Sequence, residues 1–419
     1  MTNFNFQVTT GILPKYEPSI AVNLLIPGII LATATDHTDG ESPKVGLYRS
    51  LNGGDTWTTS LLPLPPGIFT GAECASVAYK FPSTFIVSAH VFPGHQFGST
   101  YVYISNDNGT TFSKPILVAP GYGTYINNDE TFLIADNGQS SPYLGNVYVV
   151  RADQFNVANG GNITAFLDRS RDGGLTWDTP ILLSSVTDKV RRPAVTVDVT
   201  GIVYASWITV NAPNDRYYVR RSLDGGTTFG PPIIVSDVDP VPLVLPVPGY
   251  GFRVLTYPSI SCDRSIGPNT GAVYAVWQDN REGYADIFLA KSTNEGMSWS
   301  APVSITGAPA GSQNFFPFID VDPLTGVVNI VYYSNQVDGF NLDMFVARSI
   351  NGAQTFTNTR ITNVSFNPNA GQIGPTPVPT IGDYITITSV PPGGYIATWM
   401  STAPGSQTIF AGYSDIVIP

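Results

Sequence analysis

The sequence predicts an all-β, seven-bladed β-propeller, and three observations predict it. One octapeptide recurs six times along 419 residues. Each copy sits between short segments that read as strands, with period-two alternation and Pro or Gly at their ends. A seventh segment, at the C-terminus, has three such strands and no octapeptide.

The copies are Ser50-Leu-Asn-Gly-Gly-Asp-Thr-Trp57, Ser105-Asn-Asp-Asn-Gly-Thr-Thr-Phe112, Ser170-Arg-Asp-Gly-Gly-Leu-Thr-Trp177, Ser222-Leu-Asp-Gly-Gly-Thr-Thr-Phe229, Ser292-Thr-Asn-Glu-Gly-Met-Ser-Trp299 and Ser349-Ile-Asn-Gly-Ala-Gln-Thr-Phe356. Their spacings of 55, 65, 52, 70 and 57 residues are those of a repeat architecture. An Asp or Asn at the third position accepts backbone N–H groups across a turn, Gly at the fifth tolerates positive φ, and the final Trp or Phe can wedge between neighbouring sheets. After the octapeptide comes a Pro-started strand such as Lys114-Pro-Ile-Leu-Val118; before it lie an inner strand such as Pro18-Ser-Ile-Ala-Val22 and a second strand such as Gly271-Ala-Val-Tyr-Ala-Val-Trp277. Four strands per repeat make a propeller blade.

In the seventh blade, Asp383–Ile387, Tyr395–Trp399 and Ile409–Tyr413 supply three strands, and Phe4-Asn-Phe-Gln-Val-Thr-Thr10 supplies the fourth. The expected blades cover approximately 17–69, 72–125, 129–188, 191–249, 255–310, 314–375 and 380–419 plus 3–10, all in one domain spanning 1–419. The alternative is six full blades with a frayed remainder.

The octapeptide resembles the Asp box, or BNR repeat, of sialidases and related propellers. In that family the boxes are structural turns on one face, and the site lies on the opposite face around the channel. Val276-Trp-Gln-Asp-Asn-Arg281 followed by Asp286-Ile-Phe, and Ile381-Gly-Asp-Tyr384, look like motifs of bacterial sialidase-like BNR proteins.

Composition narrows the partners. Charged residues are only 12% and the formal charge is −11 with 20 Lys plus Arg, which opposes nucleic acid and anionic membranes as ligands. No run of about 20 apolar residues is present to span a bilayer. Cys74 and Cys262 fall on non-adjacent blades and read as two buried thiols. Met1-Thr-Asn-Phe4 lacks the pattern of a signal peptide, so an extracellular or cell-surface location is expected from the family resemblance alone. His37, His90 and His95 lack zinc-site spacing. Asp36, Asp39 and Glu41 share a loop that could supply oxygen ligands to calcium, although a solvated acidic loop explains them as well; no cofactor or metal is expected.

The loops that enter the inner strands, or join second to third strands, bring acids and arginines to one face. Glu17, Glu73, Asp129, Glu130 and Asp279 are the candidate catalytic carboxyls, since glycoside hydrolysis needs one group to protonate the leaving oxygen and another to act as base or nucleophile. Arg191, Arg192, Arg253, Tyr257, Arg281 and Tyr384 are the candidate ligand-binding residues. The same residues would also arise as paired charges in a solvated channel mouth, with Asp279 bound to Arg281 and Asp383 holding a neighbouring loop.

Resemblance to true sialidases implies six blades, an arginine triad for the sugar carboxylate whose first member lies in an Arg-Ile-Pro motif, and a Tyr nucleophile activated by Glu. The matching place here reads Tyr16-Glu17-Pro18-Ser19, and a carboxylate there repels an anionic ligand. The reading carried forward is therefore a non-catalytic recognition propeller whose funnel face binds glycan or a protein loop. The alternatives are a glycoside hydrolase using paired funnel carboxylates and a structural scaffold that displays loops.

Overall fold

The computed structural model describes residues 4–40, 42–94, 98–123, 125–156, 161–210, 214–370 and 379–414. It forms seven four-stranded antiparallel sheets, each running in sequence order from an inner to an outer strand except the last. The inner strands are β2 (Lys15–Val22), β6 (Gly71–Lys80), β10 (Ile126–Ala135), β14 (Val190–Val197), β18 (Pro258–Cys262), β22 (Asn314–Val321) and β26 (Thr386–Val390). In the last sheet β27 (Gly394–Ser401) and β28 (Thr408–Tyr413) follow β26, and β1 (Phe4–Gln7) adds on the outside. Phe4 faces Tyr413 and Gln7 faces Phe410 in this register, so the two ends of the chain close the ring within one blade. A seventh sheet of this kind excludes the six-bladed alternative.

Each octapeptide folds as the same turn. In the fourth copy the Ser222 hydroxyl donates to Asp224 Oδ1 at 2.7 Å and accepts the Gly226 N–H at 2.8 Å. Asp224 in turn accepts the N–H groups of Thr227 and Thr228 and the Thr228 hydroxyl. These donors hold its carboxyl down at about 2 despite the opposing effect of burial. Gly225 and Gly226 both take positive φ, the freedom the turn requires.

The aromatic residue that ends each copy packs against the core shared with the preceding blade. Trp57, Phe112, Trp177, Phe229, Trp299 and Phe356 each lie partly buried there. Large buried side chains such as Trp207, Trp277 and Trp399 fill the same inter-blade spaces, each stabilising the fold by roughly 2–3 kcal/mol on removal from water.

A second staple was not anticipated from the sequence. The residue just before the box serine is a cation in five of six copies. Arg49, Arg169 and Lys291 donate to backbone carbonyls in the next blade's box turn, at Asn108, Gly225 and Gly352. Arg221 reaches Glu295 of the next turn, and Arg348 reaches the Gly393 carbonyl of the boxless seventh blade.

If the box aspartate holds its turn rather than serving chemistry, Asp224→Ala lowers unfolding stability by about 1–2 kcal/mol, as loss of a helix N-cap does. Urea denaturation measures this. An unchanged midpoint would refute the assignment.

Candidate functional site

The opposite face is built from a second repeated irregularity. Five inner strands carry a β-bulge at the same place, between Tyr16 and Ser19, Glu73 and Ser76, Asp129 and Phe132, Arg191 and Ala194, and Phe315 and Phe318. Within each bulge one non-glycine residue turns left-handed: Glu17 at φ 56°, Cys74 at 51°, Glu130 at 51°, Arg192 at 25° and Phe316 at 53°. Tyr257 and Tyr384 occupy the equivalent positions in the other two blades. Such backbone costs roughly 1–3 kcal/mol per residue and concentrates at ligand sites. At three of the bulges the N–H leaves its ladder for the preceding blade: Cys74 to Thr35 Oγ1, Arg192 to Glu130 Oε2 and Phe316 to Gln278 Oε1.

These seven side chains form the floor of a funnel, and several reach across the axis. The Arg192 guanidinium lies over the Tyr384 ring at 3.7 Å and near Tyr257 at 5.8 Å. Tyr257 donates to Glu130 Oε1 at 3.3 Å, and Tyr384 to the Ala75 carbonyl at 3.3 Å. Tyr257, Phe316 and Tyr384 are buried. The layer that meets solvent is charged instead, with Glu73, Asp129, Glu130, Arg191 and Arg253 all partly exposed, as is Cys74.

Crowding acids onto this floor perturbs them. Burial, then the charges of Asp383 and Glu73, push the Glu17 carboxyl up to about 8 against the pull of Arg253. Its Oε2 accepts the Cys74 thiol and the Thr35 hydroxyl, each at 3.4 Å. Glu130 rises to about 7, chiefly through burial and also through Asp129, opposed by Arg191 and the Arg192 N–H. Burial and then Asp383 and Glu130 raise the Tyr257 phenol, which keeps it a donor. Asp129 accepts from Gln154 Nε2 and from the Glu130 N–H. Glu73 lies 3.4 Å from His90 Nδ1, whose Nε2 meets Asn127 Oδ1 at 2.9 Å. Arg253 forms a bidentate ion pair with Asp383.

The sequence-derived candidates therefore divide. Glu17, Glu73, Asp129, Glu130, Arg191, Arg192, Arg253, Tyr257 and Tyr384 come together. Asp279 and Arg281 are committed elsewhere: Asp279 is fully buried and accepts from Trp277 Nε1, and Arg281 pairs with it at 2.6 Å while donating to the Asp237 carbonyl of the neighbouring blade. Cys74 needs correction as well. Cys262 is a buried free thiol, but Cys74 is partly exposed in the floor, because the bulge turns it toward the axis. Cys74 and Phe316 as ring members were missed; aligning the residue before each inner-strand core across all blades is the signal that finds them.

Asp36, one of the three acids of the loop considered for calcium, accepts the Thr38 N–H and the Tyr48 hydroxyl, and Asp39 pairs with Lys44. Glu41 and His95 lie outside the described residues. Among the described residues no group of three His, Cys, Asp or Glu is placed to hold a metal, and no helix is long and apolar enough to cross a membrane.

Below the floor, the channel on the box face encloses about 120 Å³, lined by the inner strands and by Arg264, Asn137 and Asp320.

No family model and no curated protein matches the sequence. Solved structures match in fold. A GH93 α-L-arabinofuranosidase of Fusarium graminearum in complex with arabinobiose has a TM-score of 0.54 at 12% identity, over 99% of this chain and 97% of that one. An α-L-arabinanase of Penicillium chrysogenum complexed with arabinobiose gives 0.53 at 16%, over 83% and 98%. A Trypanosoma rangeli sialidase in complex with the inhibitor DANA gives 0.51 at 16%, over 82% and 56%. At these identities the likeness is one of fold, a sialidase-like propeller.

The raised Glu17 carboxyl has a consequence for stability. The folded state holds its proton more tightly than the unfolded chain, so its contribution is fully present below about pH 4.5 and lost as pH rises through about 8. Glu17→Gln is expected to gain melting temperature relative to wild type between pH 5 and 8. Parallel curves would show that Glu17 carries no such proton.

Proposed function

We propose that this propeller is a glycoside hydrolase acting on a glycan held over the funnel floor, with Glu130 as proton donor. The observation that carries this reading is the position of Glu130. Its residue is partly exposed on a floor of charged groups, while its carboxyl oxygens are held by Tyr257 and the Arg192 N–H. Glycoside cleavage needs such an acid to protonate the leaving oxygen, with a second carboxylate to attack or to activate water. Glu73 and Asp129, partly exposed beside it, supply that second group. Raising a solvent-facing acid to about 7 beside further carboxyls provides the separation of roles this chemistry uses.

The buried state of Tyr257, Phe316 and Tyr384 favours this reading over an aromatic sugar-binding platform at the floor itself. The resemblance of the octapeptide to the Asp box, and the arabinobiose complexes among the solved structures of like fold, make arabinofuranosides the first substrates to try. Sialosides are disfavoured, because Glu17 stands where an arginine would meet their carboxylate and Arg253 is engaged by Asp383. A cell-surface or secreted location follows from the same reading, since such glycans lie outside the cell.

The second reading is a non-catalytic recognition propeller for glycan or a protein loop. It is favoured by the way Arg192 on Tyr384 and Tyr257 on Glu130 satisfy the floor internally.

A panel of chromogenic glycosides, including arabinofuranosides and a sialoside, separates them when run on wild type and Glu130→Gln. The variant is expected to lose about 100-fold or more in kcat, the range of general acid catalysis. Wild-type turnover should fall as pH rises through about 7, where the donor loses its proton. Turnover indifferent to the substitution would sink the assignment; binding without turnover would pass the site to the recognition reading.

A further inference from the structure

Two tyrosines stand apart from the rest of the molecule. Tyr122 is 71% exposed and Tyr125 63%, and they are the only exposed tyrosines among the described residues. Phe81, at 40%, is the other exposed aromatic described, and it lies in a turn on the box face. The other aromatic side chains among the described residues are wholly or partly buried, so two bare rings three positions apart call for an explanation.

Their backbone is held firmly although their rings are free. Tyr122 exchanges backbone bonds with Ile126, the Tyr125 N–H closes a turn onto the Tyr122 carbonyl at 3.0 Å, and the Tyr125 carbonyl accepts the Asn156 N–H at 2.9 Å. Gly121 is tied to Ser99 of the preceding blade. This turn leads directly into β10, which starts at Ile126, three residues before Asp129. Tyr125 precedes Asp129 by four residues, about 13 Å of extended chain at about 3.3 Å per residue, on the wall that carries Asp129 and Glu130.

A strap crosses the opposite wall. The segment 239–257 bridges the blades there: Tyr250 donates to the Phe340 carbonyl, Gly251 to Asn369 Oδ1, and the Arg253 N–H to the Pro379 carbonyl. A chain resting on the floor is thus walled in by this strap over blades five to seven. The tyrosines stand across from it, at the entry to blade three.

We propose that Tyr122 and Tyr125 form a stacking platform for a sugar unit of an oligosaccharide whose end lies on the funnel floor. This rests on the reading of the funnel as a glycan site and adds the direction in which the glycan leaves it. Tyrosine suits the role because its ring offers a rigid apolar face to sugar C–H groups at low entropic cost, while its hydroxyl stays in water.

The test is calorimetric affinity for neutral oligosaccharides of two to five units, drawn from whichever series the glycoside panel selects and otherwise from arabino-, xylo- and gluco-series. It is made on Glu130→Gln, so that turnover does not interfere, with and without added substitutions. Affinity is expected to rise with chain length. Tyr122→Ala with Tyr125→Ala should remove that rise, weakening binding of the longer chains about tenfold or more, whereas the double Phe variant and Phe81→Ala should keep it. A length dependence unaffected by the double Ala variant overturns the platform, as does failure to bind every series. Parallel turnover assays on chains with wild-type Glu130 distinguish the two proposals. Turnover with an unaffected length dependence removes the platform and leaves the hydrolase. Length-dependent binding lost in the double Ala variant, without turnover by wild type, removes the hydrolase and leaves the platform.

Discussion

Closure of the ring is the constraint on which the rest of this molecule depends. The ring of seven sheets is closed when both ends of the chain meet in one blade, and the four paired residues of β1 against the outer side of β28 do this. Once closed, most neighbouring sheets are fixed to each other by a box aromatic in the shared core and by a cation that bonds to the next turn, as between blades three and four. The inner strands are then held at a common radius, and whatever side chains their first residues carry must share the small space at the axis.

That crowding accounts for the chemistry of the floor. Glu17, Cys74, Glu130 and Arg192 are held left-handed by bulges, a conformation such residues avoid when free to choose. Burial with like charges nearby raises Glu17 and Glu130, and arginine and tyrosine from distant blades supply the compensating contacts. The strain and the desolvation are both borne by a frame whose stability comes from elsewhere, the inter-blade cores.

The two faces divide the labour. On the box face the same Ser, Asp or Asn, and Gly contacts recur from blade to blade, as in the turns at Ser105, Ser170 and Ser222, and this repetition is what stabilises. On the funnel face the seven equivalent positions hold Glu, Cys, Glu, Arg, Tyr, Phe and Tyr, and the entering loops differ in length from the tight Tyr122 turn to the strap over 239–257. A scaffold made of identical units can present a site only where the units differ.

The repeat, the four-strand blade and the closing role of Phe4–Gln7 were legible in the sequence because they are local. Period-two alternation, a turn with its own hydrogen-bond chemistry and a missing strand can each be read within about 60 residues. Most of the acids and arginines of the floor were legible too, since they precede inner strands. The tertiary structure alone decided which of them meet. Arg192 stacks on Tyr384 across three blades, and Glu130 bonds Tyr257 from 127 positions away. Asp279, in an equally plausible loop, turns into its own blade to meet Trp277 and Arg281. Cys74 read as a core thiol because the bulge that points it at the axis leaves no mark on the alternation of its strand. Proximity around a closed ring depends on radius and on backbone twist at single residues, and neither is encoded in the spacing of residues along the chain.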